Sequence, residues 1–313
     1  MVDSKHQWKA WLYLSPAIVL LLIFTVWPII NTVRVAFLED YNALAVLIGA
    51  EFKVGIGNFV NVLTNDEFTT GLVNTMLLTV LTVPLSTILA LLIAVALNSI
   101  KPLQRFLQTI FFLPYVTNSI AIGMVFAAMF NIIGLRPDGS FADSWGIINN
   151  VIMLFGGEPV NWVNAQSSYW ANIAVMTVYI IWNALPFKIL ILLGGLQSIN
   201  KQYYEAARVD GTPRWRVLTR ITVPLLSPML AYVIITGFIG GFKEYSSIIG
   251  IFGEKMGPVG DGAGRLMTMV GYIYEVLPDM DYGVASAAAL VLFVIILIVT
   301  MFNNAISKRS VHY

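Results

Sequence analysis

Charged residues in this chain fall in clusters. Between the clusters run long stretches with no Asp, Glu, Lys or Arg at all. Six of these are long: Ala10–Val33, Phe68–Ile100, Phe106–Leu135, Pro159–Phe187, Ile221–Phe242 and Tyr282–Ser307. The shortest has 22 residues and the longest 33. A bilayer core of ~30 Å needs ~20 residues of apolar helix, so each stretch can cross. Inside lipid every backbone polar group must be satisfied within the protein, which leaves helices or closed barrels. Barrel strands would read as ~10-residue segments of alternating polarity, and none is present. The first stretch is also too long for the apolar part of a cleaved signal peptide. The pattern predicts an all-α membrane protein of six transmembrane helices, over about 10–33, 70–98, 107–134, 169–196, 222–250 and 282–306, forming one domain over 1–313. Pro16, Pro28, Pro84, Pro114, Pro186, Pro224 and Pro228 punctuate the spans. Either they kink helices around a cavity, or they are tolerated because neighbours re-satisfy the freed groups.

The polar segments set the orientation. With both termini inside, eleven Lys and Arg residues fall on the inner side and five on the outer: Arg34, Lys53, Arg136, Lys255 and Arg265. Basic residues concentrate on the cytoplasmic side, so the termini are expected there. Trp8, Trp11 and Tyr13 sit where an aromatic belt would anchor the first span. The outer links at about 34–67 and 136–164 are long enough for small external structures. The link at 197–221 is the one large inner loop.

Composition narrows the chemistry. Of 313 residues, 58% are hydrophobic and 11% charged, with net charge +1 and no cysteine. Mean hydropathy is +0.79. Disulfides, thiol catalysis and Cys-ligated metals are excluded, and nothing suggests nucleic-acid binding. His6 and His312 lie at the chain ends, so no intramembrane histidine cluster exists. No G-x-x-x-x-G-K-[ST] loop occurs, so ATP hydrolysis is not expected here. A membrane enzyme would need clustered His, Asp, Glu or Cys at depth. An ion-coupled secondary transporter, the competing class, usually carries buried carboxylates or broken midplane helices. Asn172, Met176, Tyr179 and Asn183 recur at spacings of four, three and four, hence on one helix face. That face lines either a substrate path or an interhelical contact. Lys188 is either a functional charge within the fourth span or a side chain that snorkels to the interface. Lys243 and Glu244 form either a solvated pair at the outer rim, or a gate or a contact to a charged solute.

The inner loop carries the sharpest local signal. Lys201 to Asp210 has good helix formers and no breaker. Gly211 can take positive φ and end that helix. Thr212 then suits an N-cap, with Pro213 at the first helical position. Two short helices at a sharp turn would make a rigid knob. Ala206 and Ala207 permit close approach to a partner, while Glu205, Arg208 and Asp210 offer polar contacts around them. The sequence offers no second domain to receive the knob, so the groove should belong to another protein.

Glu205-Ala206-Ala207, Gly211, Ile221, Val223 and Pro224 stand at the spacing of the E-A-A…G…I-x-L-P motif, with Val for Leu. In this the chain resembles the membrane subunits of bacterial ABC importers. Gly57-Asn58-Phe59, Leu63 to Phe68, Val73-Asn74-Thr75, Gly195 to Ile199, Gly257-Pro258 and Tyr272-Ile273-Tyr274 are similar to the carbohydrate-type permeases. Tyr13-Leu14-Ser15-Pro16 and Trp27-Pro28 resemble the first of their two permease subunits. The resemblance implies that loop 197–221 is a coupling helix. Its contacts to an ATPase would come from Glu205, Ala206, Ala207, Asp210, Gly211, Ile221 and Pro224. It implies a sugar or oligosaccharide delivered by an extracytoplasmic binding protein, a second permease, and two ATPase subunits that bind ATP and Mg. This chain itself would hold no cofactor and catalyse nothing, in the inner membrane of a bacterium. Glycerol phosphate or a polyamine is the alternative solute. Asn172, Tyr179, Asn183, Lys188, Lys243 and Glu244 are the candidate substrate-path residues.

Overall fold

A computed structural model describes residues 7–39, 41, 42, 44, 46, 49, 51–100, 104–135, 141–260 and 262–310. The chain is helical nearly throughout, with several helices suited to a membrane. They run in the order α1 (Gln7–Leu21), α2 (Trp27–Ala36), α3 (Gly57–Thr64), α4 (Asp66–Ser99), α5 (Gln104–Val116), α6 (Ser119–Phe130), α7 (Ile147–Leu154) and α8 (Tyr169–Ser198). Next come α9 (Lys201–Val209), α10 (Arg214–Val217), α11 (Val223–Leu225), α12 (Ser227–Gly241), α13 (Ser246–Phe252), α14 (Met269–Val276) and α15 (Tyr282–Ser310). One π-helical turn, Leu22–Val26, joins α1 to α2, and another, Leu218–Thr222, joins α10 to α11.

Among the described residues four helical stretches are long and apolar enough to cross a bilayer alone: Trp8–Ala36, Asp66–Ser99, Tyr169–Ser198 and Tyr282–Ser307. Two further pairs qualify only if each bent pair counts as one span. They are Gln108–Val116 with Ser119–Phe130, bent by 104°, and Arg214–Leu225 with Ser227–Gly241, bent by 72°. The stretches expected at 107–134 and 222–250 are therefore broken rather than continuous. At the first break α5 ends after Pro114, and the Asn118 carboxamide oxygen restarts the helix by accepting from Ile120 N (2.9 Å) and Ala121 N (3.2 Å). An Asx cap of this kind satisfies orphan N–H groups that lipid could not. At the second break Pro228 stands in the first turn of α12, where its missing N–H costs nothing. α12 ends at Gly240-Gly241, and a turn separates it from α13.

The third stretch also stops short of 134. After Phe130 the chain turns extended, and Ile132–Leu135 pairs antiparallel with Phe141–Trp145. Two adjacent β-branched residues followed by glycine favour strand over helix. This hairpin is a small exception to the all-α expectation. The long links at about 34–67 and 136–164 do carry small structures: α3, α7 and an isolated bridge between Leu38 and Val54.

The chain divides into two compact units, Met1–Asn65 with Tyr272–Phe293, and Asp66–Gly271 with Val294–Tyr313. In the first, the Asn58 carboxamide donates to Ala36 O (3.1 Å) and Leu38 O (2.8 Å), closing the carbonyls at the end of α2. In the second, Ala90, Ala94 and Leu97 of α4 pack on Ile189, Leu192, Leu193 and Leu196 of α8, with Leu226 and Val233 beside them. Lipid is as apolar as leucine, so such packing rests on close fit rather than on exclusion of water. The crossing of α6 and α13 is closer still. A Cβ on Gly123 would lie 2.7 Å from Gly250 Cα, so only glycine fits at this contact.

Candidate functional site

α4, α8 and α12 surround a cavity of about 330 Å³ within the second unit. α4 contributes Thr82, Val83 and Ser86; α8 contributes Ile180, Asn183, Ala184, Phe187 and Lys188. α12 contributes Thr236, Gly237, Gly240 and Gly241, with Glu244 just beyond it, and Tyr115 of α5 completes the wall. Tyr115 stacks on Phe187 with ring centroids 5.8 Å apart and planes 17° apart. The cavity thus has an aromatic side and a polar side.

Lys188 is 4% exposed and does not snorkel. Its ammonium donates to Ser86 Oγ (2.7 Å), Thr87 Oγ1 (2.9 Å) and Val83 O (3.2 Å), all on α4. Both hydroxyls pass their own protons to α4 carbonyls, Ser86 to Thr82 O (2.6 Å) and Thr87 to Val83 O (2.7 Å). The ammonium's three donors are therefore used, yet every acceptor is neutral. Gly237 leaves room for it: a Cβ there would stand 3.3 Å from Nζ and 3.1 Å from Val83 Cγ1. Glu244 is half-buried, accepts a hydrogen bond from the Ser247 hydroxyl, and faces the same cavity. Lys243 is exposed. The two adjacent charges therefore part, and the solvated rim pair is not what forms.

The α8 stripe divides as well. Asn172 is buried, and its side chain donates to Trp162 O (2.7 Å) and Ser167 Oγ (2.8 Å). The Tyr179 hydroxyl donates to Ser119 O (2.8 Å), and its ring meets Phe126 edge-on. These two brace α8 against its own neighbours. The cavity gathers Asn183, Lys188 and Glu244 from the sequence-based candidates, and not Asn172, Tyr179 or Lys243. Sequence reasoning missed the share of α4 in the wall. On α4, Thr75, Thr79, Thr82 and Ser86 repeat at spacings of four, three and four and are all buried, and Thr82 and Ser86 line the cavity. That is the same 3.6-residue signal, carried by hydroxyls rather than by amides.

Between α8 and α12 in the chain stands the elbow. The Asn200 side chain caps α9 by accepting from Gln202 N (3.0 Å). Its other end closes as a Schellman turn: Gly211 has φ +67°, Gly211 N donates to Arg208 O (3.2 Å), and Thr212 N to Ala207 O (2.9 Å). The next helix starts one residue later than expected. Pro213, at ψ 146°, is its cap, and its carbonyl accepts from Arg216 N (2.9 Å) and Val217 N (3.1 Å). With extended ψ, Pro213 stays outside the helix, so Thr212 is no N-cap. The Tyr204 and Thr222 hydroxyls lie 3.3 Å apart, tying the two arms together. The alanines have different roles. Ala207 is 5% exposed and packs inward, while Glu205, Ala206 and Asp210 are exposed. Ile221 and Pro224 are half-buried. Val209, 88% exposed, and Trp215, 71% exposed, add apolar surface that sequence reasoning did not single out.

Residues 83–312 match the family described as binding-protein-dependent transport system inner membrane component. The chain is 28% identical to the lactose transport system permease protein LacF of Rhizobium radiobacter, over 96% of this chain and 95% of that one. It is 30% identical to the arabinooligosaccharides transport system permease protein AraP of Halalkalibacterium halodurans, over 92% and 84%. Among solved structures it resembles a chain of a bacterial alginate ABC transporter in complex with an alginate pentasaccharide-bound periplasmic protein. That likeness has a TM-score of 0.78 and 26% identity over 97% of this chain and 96% of the other.

Proposed function

Because this chain belongs to the inner membrane component family of binding-protein-dependent transport systems, we propose that it is one permease subunit of an ATP-driven importer of a sugar or oligosaccharide. It is a multi-pass membrane transport subunit rather than a catalyst. On this reading each bent pair counts as one span, giving six in a single permease domain with both termini cytoplasmic. A second permease completes the pathway, two ATPase subunits supply ATP and Mg, and an extracytoplasmic binding protein delivers the solute. The transport relatives named for lactose and arabinooligosaccharides favour a sugar over glycerol phosphate or a polyamine.

One observation carries the mechanism. The elbow at residues 199–226 directly joins α8 to α12, and both of these helices line the cavity. A force applied to the elbow is therefore applied to the cavity. Glu205, Ala206, Asp210 and Gly211 form the exposed knob that an ATPase groove would grip, with Val209 and Trp215 supplying apolar contact. Ala207, Ile221 and Pro224 instead tie the knob to the spans. ATP-driven closure of the ATPases would rock α8 against α12 between two packings. Asn183 and Glu244 can bond sugar hydroxyls, and the Tyr115–Phe187 stack offers an apolar face for a sugar ring. Lys188, fixed on Ser86 and Thr87, gives the polar side of the cavity its positive charge.

The natural absence of cysteine makes the docking claim directly testable. Ala206→Cys, paired with single cysteines along the ATPase groove, should cross-link efficiently in the assembled complex. Ala207→Cys should not, because its side chain points inward. Equal cross-linking at both positions, or none at either, contradicts the reading.

A further inference from the structure

The cavity between the spans belongs to the proposed solute path; a second recess lies elsewhere in the same unit. It is open, holds about 460 Å³, and is lined by Thr69, Thr70, Val73, Asn74, Tyr169 and Arg265. It sits where α4 and α8 begin, which is the outer face when both termini are cytoplasmic.

Its walls are firmly built. Asn74 is buried, and its carboxamide donates to Arg265 O (3.0 Å) and Met267 O (2.8 Å). The Tyr169 hydroxyl donates to the oxygen of the same carboxamide (2.7 Å), so all of Asn74's reach is spent on fixing this corner. Met269 N donates to Thr75 Oγ1 (3.1 Å). A Cβ on Gly71 would lie 2.9 Å from the Thr268 carbonyl, so the segment 265–269 lies flat against α4. The segment that carries Arg265 is thus clamped at several points.

Arg265 itself is only partly used. One guanidinium nitrogen donates to Ser167 O (2.8 Å), a neutral carbonyl. No carboxylate pairs with it among the described residues. A guanidinium has five donors in a planar fork that matches a carboxylate with two parallel bonds. Here the fork is held half-buried, in a recess with neutral hydroxyls around it and no anion to satisfy it among the described residues. Such an arrangement suits an acidic side chain brought in from outside.

We propose that this recess is a docking socket, and that its occupant is an Asp or Glu side chain on the extracytoplasmic binding protein. The inference rests on the importer reading, which supplies the partner. Burying a fixed, pre-oriented arginine against one carboxylate would set the register of the two proteins. It costs little side-chain entropy, because the clamped segment holds the arginine in place beforehand.

The test uses the complete importer in vesicles, with uptake measured against the concentration of its binding protein at low and moderate salt. Arg265→Glu should raise the half-saturating concentration about tenfold or more, with the rate at saturation kept within about twofold. Arg265→Gln keeps a donor for Ser167 O but loses the charge. It should also raise that concentration, and it should flatten the dependence on salt that wild type shows. An unchanged half-saturating concentration in both variants overturns the proposal. So does a fall in saturating rate alone, which would mark a purely structural role. A shift that disappears when anionic lipid is left out of the vesicles overturns it in favour of a lipid headgroup. Wild-type uptake indifferent to the binding protein would instead defeat the importer reading itself, and the socket with it.

Discussion

At the scale of single residues, the buried lysine is the most informative group. An ammonium inside a span with only neutral acceptors is costly, and such charges persist where transport needs them. Its removal should nevertheless be tolerated by the fold, because Ser86 and Thr87 keep their own bonds to α4 carbonyls. Lys188→Met should therefore leave the thermal stability of the purified complex within a few degrees while uptake falls about tenfold or more. A collapse in stability with uptake per folded complex unchanged would make Lys188 merely structural. Asn118 tests a different property. Losing its capping oxygen should cost about 1 kcal/mol, since two N–H groups at the start of α6 lose their acceptor; thermal unfolding of Asn118→Ala reads this directly. Both residues were visible in the sequence as polar positions in apolar surroundings, but their roles were not. Periodicity says which residues share a face and is silent about what that face meets. Hence Asn172 and Tyr179 stood among the path candidates, although the Asn172 amide N–H groups and the Tyr179 hydroxyl donate to oxygens outside the cavity lining. The hydroxyl ladder of α4 went unread because threonine passes easily for an apolar residue within a span.

At the scale of elements, the elbow was the most legible. A glycine after a run of helix formers, with Thr-Pro immediately beyond it, leaves the chain few ways to turn, and Gly211 takes the left-handed conformation that this requires. Gly211→Val should cost about 1–2 kcal/mol at that φ and loosen the Schellman turn. In the assembled complex the variant should hydrolyse ATP with little uptake, and assays of both on one preparation check this. The broken helices were less legible. Pro114 and Pro228 announced some irregularity, but proline is also accommodated inside α4 and α8 at Pro84 and Pro186 without ending the helix. The neighbouring residues make the difference. Asn118, four positions beyond Pro114, offers a fresh cap, and Pro228 stands where a new helix has just begun.

For the molecule as a whole, the number of apolar stretches already specified a helical membrane protein. Lipid admits so few backbone arrangements that composition nearly suffices. Two features escaped the sequence: the parting of Lys243 from Glu244 and the cavity itself, since both depend on how distant helices meet. On the proposed reading, joining α8 and α12 through the elbow would make these parts a coupled device, with force entering at the elbow and the cavity responding. The most direct measurement is solute uptake by vesicles holding the complete complex, with either the wild-type chain or Ala206→Trp. The account predicts uptake that requires ATP in wild type and is abolished in the variant, with membrane insertion and thermal stability retained because Ala206 is exposed. Undiminished uptake in the variant, or transport by this chain alone without ATP, would contradict it.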